Sequence, residues 1–147
     1  MTELFFERAV VPVANREDAA ATATALVENI DDSDSTVIAV HVIEKADGGM
    51  DKASVEQRKL FAQDVFEVLT EGLADTDITL ETEIRYGTDV ASTLIDAAQE
   101  LNASAIVFTP RGGSRWRKLL TGDVSHNLIE NSDIPIVVIS DEGVSEA

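Results

Sequence analysis

Cysteine is absent from the 147 residues, which excludes disulfides, thiolate nucleophiles and cysteine-held metals. Histidine occurs twice, as His41 and His126, with no carboxylate spacing that would complete a metal set. Cations are scarce: 11 Lys and Arg stand against 28 Asp and Glu, for a net charge of −17. A surface of that sign repels nucleic acid and anionic lipid, so neither is expected as a partner. No apolar run approaches the roughly 20 residues that span a bilayer. The opening, MTELFFERAVVPVANRED, carries acidic residues where a secretory signal would carry a cationic lead. The chain reads as cytoplasmic.

What is present is a globular balance, 44% hydrophobic and 27% charged, with length for one domain spanning 1–147. Five short apolar runs read as strands: Ala9 to Ala14, Thr36 to Ile43, Ile78 to Ile84, Ala105 to Thr109 and Ile134 to Ile139. Four are nearly continuous, as strands covered on both faces are, and the third alternates, as a half-exposed edge does. Helical spacing fills the gaps. Ala19, Ala23, Leu26, Val27 and Ile30 form one stripe, and Leu60, Phe61, Val65, Val68 and Leu69 a second. Val90, Leu94, Ala97 and Leu101 form a third, and Val124, Leu128 and Ile129 a short fourth. Gly72 marks the end of the second helix, Thr88 and Asp89 the start of the third, and Pro135 the opening of the last strand. This βαβαβαβαβ order predicts an α/β, Rossmann-like single domain: an open sheet of five mostly parallel strands with four helices on both faces. Residues 44–51 (EKADGGMD) read as a mobile connection and 141–147 (DEGVSEA) as a mobile tail.

In such a sheet, ligands bind beyond the carboxyl ends of the strands where the strand order reverses. That rule selects Ala14, Val42 and the loop after Thr109, TPRGGSRWRKLLTGD. Glycines there allow close backbone approach to a phosphate, and a helix start offers unpaired N–H donors. Arg111, Arg115, Arg117 and Lys118 reverse the sign of the surface locally, which suits an anion. The alternative is a solvated loop whose cations neutralise nearby carboxylates. Trp116, amid those cations, either covers its own loop or stacks on an unidentified protein partner. His41, inside a strand, reads as a core or rim residue with a satisfied ring nitrogen.

The chain resembles the universal stress protein family. The residues that carry the likeness are VVPVA at the first strand, AVHVIE at the second, RYGTDVASTLIDAAQ entering the third helix, and KLLTGDVSHNLIENSDIPIVVI at the end. ATP-binding members carry Gly-x2-Gly-x9-Gly-Ser/Thr after the fourth strand, and the equivalent here is Thr109-x2-Gly112-x9-Gly122-Asp123. The resemblance implies a nucleotide site built from Pro12, Val13 and Ala14, from Val42 as an adenine wall, and from Thr109, Arg111, Gly112, Gly122, Asp123, Val124 and Ser125. It also implies a homodimer joined through the last strand, and ATP as the ligand to test.

Three departures bear on that ligand. Thr109 replaces a glycine, Ala14 stands where the family places an aspartate, and Asp123 replaces a hydroxyl residue. An ionised Asp123 only accepts hydrogen bonds, and as a cap it takes the helix-terminal donors itself. A lost hydrogen bond costs about 0.5–1.5 kcal/mol. A carboxylate near a polyphosphate adds about 1 kcal/mol per charge pair even in water, so the three together weaken binding about a hundredfold or more. No Gly-x-Ser-x-Gly elbow, Walker loop or Ser/His/Asp set is present. The expected function is therefore a non-catalytic, homodimeric stress-response regulatory module with a degenerate nucleotide pocket. The alternative is an ATP or adenylate switch with at most weak hydrolysis.

The charge of −17 has one physical rationale in concentrated salt, where the Debye length falls to about 3 Å at 1 M and like charges cease to repel. A haloarchaeal source is the reading, against an ordinary acidic protein. Thermal unfolding scans in low and molar KCl distinguish the two: a halophilic chain has its lower melting temperature in low salt, and an unchanged or falling melting temperature with added salt removes the halophilic reading.

Overall fold

The four residues of β1, Ala9–Pro12, are all buried, because this strand lies inside a sheet covered on both faces. A computed structural model of the chain describes residues 6–30, 35–44, 52–109, 134–140 and 143–144. After β1 come α1 (Arg16–Asn29), β2 (Thr36–Glu44), α2 (Lys52–Gly72), β3 (Thr79–Gly87), α3 (Val90–Glu100), β4 (Ala105–Phe108), β5 (Ile136–Ser140) and β6 (Gly143–Val144). The sheet order is β3-β2-β1-β4-β5-β6. β1 to β5 pair in parallel, and β6 pairs antiparallel with β5 through Ile139↔Val144 and Ser140↔Gly143.

Alternation along each strand divides the core in two. Val11, Val37, Ala39, Val107, Val137 and Ile139 face the layer of α1 and α2. Val10, Ile38, Val40, Val42, Ile106 and Phe108 face the layer of α3. A strand buried on both sides has little room for polar side chains, which is why these runs read as nearly continuously apolar, with His41 the buried polar exception in β2. Each fully buried Val, Leu, Ile or Phe contributes about 1.5–3 kcal/mol relative to exposure. β3 is the edge, as its alternation predicts: Leu80 and Ile84 pack on the α1 and α2 side, while Glu81 and Thr82 are exposed.

Two expectations about element number change. Among the described residues there are three helices rather than four, since the expected fourth, on Val124, Leu128 and Ile129, lies outside them. The segment expected to be a mobile tail contributes β6 instead, because the outer edge of β5 presents unpaired backbone groups that an adjacent extended segment satisfies. The connection expected at 44–51 lies outside the described residues apart from Glu44, the last residue of β2. Among the described residues no helix is long and apolar enough to cross a membrane.

The helical stripes are also partly corrected. On α1, Ala19, Ala23, Leu26 and Ile30 are buried as expected, but Val27 is 43% exposed and Ala25 is buried instead. On α2, Val65 and Leu69 are buried, whereas Leu60 is 67% and Phe61 44% exposed, and Ala62, Phe66 and Leu73 complete the inner face. At about 1.5 Å per residue the 21 residues of α2 reach roughly 31 Å, and the inner stripe begins only at Ala62. Of the expected α3 stripe, Val90, Leu94 and Ala97 are buried and Leu101 is half-buried against the same cluster, with Ala98 added.

Caps fix the helix ends. The Asp89 side chain accepts from the Ser92 N–H at 3.0 Å and starts α3. Asn102, with φ of 54°, ends it: its N–H donates to Gln99 O and the Ala103 N–H donates to Ala98 O at 2.9 Å, a left-handed closure that asparagine tolerates. Arg85 on β3 bonds Glu100 at the end of α3 and pairs with Glu83 at 2.9 Å. Burial alone lowers the pKa of its guanidinium, but the hydrogen bond to Glu100 and the charges of Glu83 and Glu100 outweigh burial, and the net shift is upward.

Gly87 carries the closest approach between β3 and α3. A Cβ at this position would lie 2.0 Å from Thr93 Oγ1 and 3.2 Å from Thr93 Cβ, and that hydroxyl is held by donating to Asp89 O at 2.7 Å. Gly87→Ala is expected to cost about 1–3 kcal/mol as an overpacking change. Urea unfolding measures it, and Gly87→Ala/Thr93→Ala should recover most of the loss; a neutral Gly87→Ala would show that the contact is not tight.

Candidate functional site

The strand order reverses between β1 and β4, and there the ladder ends early. Ala9↔Ala105 and Val10↔Ile106 are paired, yet β1 continues to Pro12 and β4 to Phe108. The Val13 N–H donates to Val40 O at 3.0 Å, so Val13 faces β2, and by alternation Pro12 faces β4. Proline has no N–H to donate on that side. The two strands therefore part at their carboxyl ends, where an open parallel sheet takes its ligands.

Pro12 and Val13 are buried at the end of β1, Val42 is buried late in β2, and Thr109, 3% exposed, follows β4. Ala14 is half-buried and packs against the α3-side cluster. The structure thus brings Pro12, Val13, Ala14, Val42 and Thr109 to one end of the sheet. Arg111, Gly112, Gly122, Asp123, Val124 and Ser125 lie outside the described residues, as do Trp116 and His126. Thr109 Oγ1 is buried and makes no hydrogen bond among the described residues, so the side chain that replaces the family's glycine sits inside the fold.

Two polar groups anchor the end of β1. The Asn15 side chain caps α1 by accepting from the Asp18 N–H at 2.8 Å. Asp18, fully buried, reaches back so that its Oδ2 accepts from the Ala14 N–H at 2.6 Å. This is a capping box displaced by one residue. The group pointing toward the crevice from the end of β1 is consequently already bonded within the chain. Asp18 was not among the residues anticipated from sequence; Asn15 followed three residues later by an acid was the signal that could have found it.

His41 is the second anchor. It is buried, as a satisfied core or rim histidine should be, and its Nδ1 lies 2.9 Å from Val13 O. A carbonyl only accepts, so Nδ1 carries the proton. The imidazole lies 5.8 Å from the Phe61 ring at 60° and 6.4 Å from Phe66 at 87°, which links β1 through β2 to α2. Arg16, in the first turn of α1, pairs with Asp64 of α2 at 3.1 Å. Both are substantially exposed, so the pair is worth little in stability. Among the described residues no group of three or more His, Asp or Glu could hold a metal ion.

Strand order, parallel pairing and the parted β1 and β4 define a doubly wound, Rossmann-like α/β domain. The profile of the Universal stress protein family matches residues 5–140, and the chain belongs to that family. It is 38% identical over 72 residues to the stress response protein NhaX of Bacillus subtilis (strain 168), a match covering 49% of this chain and 40% of that protein. The match thus spans about two fifths of the relative's length. Among solved structures, the hypothetical protein PH0823 is similar over 96% of this chain and 98% of its own, with a TM-score of 0.72 at 18% identity. The universal stress protein from Archaeoglobus fulgidus, solved in complex with dAMP, is similar over 92% of this chain and 99% of its own, with a TM-score of 0.60 at 17% identity. At such identities these likenesses establish the fold alone.

Removing the Asp18 side chain should leave the Ala14 N–H without its acceptor. Asp18→Ala is expected to destabilise by about 1–3 kcal/mol, the cost of stranding a buried donor, and Asp18→Asn, which keeps an acceptor oxygen, by less. Denaturant midpoints compare them; equal losses in the two variants would assign Asp18 a packing role only.

Proposed function

We propose that this chain is a non-catalytic regulatory module of the universal stress type, homodimeric, whose crevice between β1 and β4 is degenerate as a nucleotide site. The observation that carries the reading is the closed state of the β1 end: Asp18 occupies the Ala14 N–H, and Pro12, Val13, Val42 and Thr109 are buried rather than presented to solvent. A nucleotide would have to displace the group that completes the α1 cap. Ala14 offers a methyl where the family pattern has an aspartate, and Asp123 replaces the hydroxyl of the glycine motif. The dAMP held by the Archaeoglobus fulgidus protein supports the second reading, an adenylate switch on the same fold.

Dimerisation is placed on the outer edge of β5. Among the described residues β6 covers that edge at Ile139 and Ser140, and the antiparallel copy would pair along Ile136 to Val138. An unpaired apolar edge is a pairing hazard unless a partner or its own chain covers it. The charge of −17 supports adaptation to concentrated salt, in which two such subunits approach without prohibitive repulsion.

Titration of a fluorescent ATP analogue in molar KCl, on the natural chain and on Ala14→Asp/Asp123→Ser, tests the reading. The natural chain should bind no tighter than about 1 mM, equivalent to −4.1 kcal/mol, and release no phosphate from ATP, while the double variant gains at least about tenfold. Sedimentation of the same samples should give twice the chain mass. Binding by the natural chain near 1 µM, about −8.2 kcal/mol, would replace the degenerate pocket with the adenylate switch.

A further inference from the structure

Among the residues of its N-terminal half whose side chains are described, α2 buries none completely. Positions 56–61 are exposed, and Ala62 is the first buried residue among those of α2 whose side chains are described. A helix normally turns its large apolar residues inward, yet Leu60, 67% exposed, sits opposite the stripe of Ala62, Val65, Phe66 and Leu69. Phe61 follows about 100° further round the helix and is also exposed on one side, while its ring packs near His41.

Tyr86, on β3, extends the surface. It pairs with Ile43, two residues beyond Ile84, the partner of His41. It shares the sheet face of Leu80 and Ile84, which pack on the α1 and α2 side. Tyr86 is itself exposed. Exposed aromatic side chains thus stand on β3 as well as on α2, on the same side of the sheet.

Charge identifies what would cover it. Among the described residues, Arg8, Arg16 and Arg85 are in ion pairs, but Arg58 and Lys59 make none, although the chain carries 28 acidic residues against 11 basic ones. These two cations directly precede Leu60 and Phe61. Large exposed apolar groups beside unneutralised cations, on a chain of opposite overall sign, select a narrow acidic ligand over an extended one. A lipid surface would bring its negative plane against the whole acidic molecule. A single acidic segment engages the patch alone, with the remaining repulsion screened beyond a Debye length.

We propose that Arg58, Lys59, Leu60 and Phe61, with Tyr86 beside them, form a docking surface for an acidic segment of another protein that carries an apolar anchor. The anchor covers Leu60 and the free side of the Phe61 ring, and the flanking carboxylates pair with Arg58 and Lys59. Because Phe61 packs near His41, and His41 holds Val13, the docked segment would rest two side chains away from Val13 at the end of β1. This surface is independent of whether the crevice takes a nucleotide.

The test uses the full chain and a labelled synthetic peptide of glutamates around a Leu-Phe pair, at the lowest KCl in which circular dichroism shows the chain folded. Saturable binding is expected, with amide shifts at positions 58–61 and 86. It should weaken roughly tenfold or more in Arg58→Glu/Lys59→Glu and, separately, in Leu60→Ser, whose exposed positions leave the fold intact. A peptide with lysines in place of the glutamates should bind far less. The proposal is overturned by absence of binding, by equal binding of the two peptides, by unchanged affinity in both variants, or by shifts mapping elsewhere. It is equally overturned if phosphatidylglycerol vesicles bind the patch instead, or if the natural chain self-associates in a way these substitutions abolish, which would make the occupant a lipid surface or a second copy.

Discussion

A missing amide hydrogen at Pro12 governs where this sheet stops being closed. Up to Val10 and Ile106 the two strands at the reversal of strand order share a ladder; beyond it β1 has no donor to offer β4 at the next position that faces it. The chain cannot simply leave the freed ends loose, because buried backbone groups must find partners. Val13 is therefore held from β2, by its N–H on Val40 O and by its carbonyl receiving the His41 Nδ1–H. Ala14 is held from α1, by Asp18. The break that makes a crevice also demands the polar groups that line one side of it.

Those groups tie together elements that would otherwise only pack. Asp18 and Asn15 serve both the start of α1 and the end of β1, while His41 joins β1 to the aromatic rings of α2. Each hydrogen bond contributes only about 0.5–1.5 kcal/mol net, but losing one partner strands the other in the interior at about 1–3 kcal/mol. That asymmetry makes the β1 end stiff: any ligand entering there competes with a completed internal set.

Much of this was legible from sequence where burial leaves a simple pattern. Runs such as AVVPVA and TVIAVHVI announced strands covered on both faces, and the alternation of ITLETEI announced an edge; β3 is that edge. Asp89 caps the start of α3 as expected, and Gly72 is the last residue of α2, where the absence of a Cβ admits Ala23. Legibility failed where a local pattern is necessary but not sufficient. Leu60 and Phe61 have helical spacing with Val65 and Leu69, yet spacing cannot tell which turns of a long helix lie over the sheet. Val27 belongs with Leu26 in composition but points about 100° away. Asp18 is one of 28 acidic residues; Asn15 three positions earlier marks a helix start, but the bond to the Ala14 N–H shows only in the fold. β6 depends on pairing with a distant edge, so its two residues carried no signal of their own.

The distribution of cations follows from the same scarcity. With 11 basic residues facing 28 acidic ones, a cation has abundant carboxylates to choose from, and Arg85 shows the outcome, bonded to Glu100 and paired with Glu83. Arg8 and Arg16 likewise find partners on other elements. Arg58 and Lys59 instead stand on a turn of α2 above the inner stripe, beside apolar side chains that the fold leaves uncovered. Exposed apolar groups and exposed charge thus share the first turns of α2, where Arg58 and Lys59 make no ion pair among the described residues although Glu56 lies on the same helix. What such turns expose is available to other molecules, and on this chain it is apolar and positive where the rest is acidic.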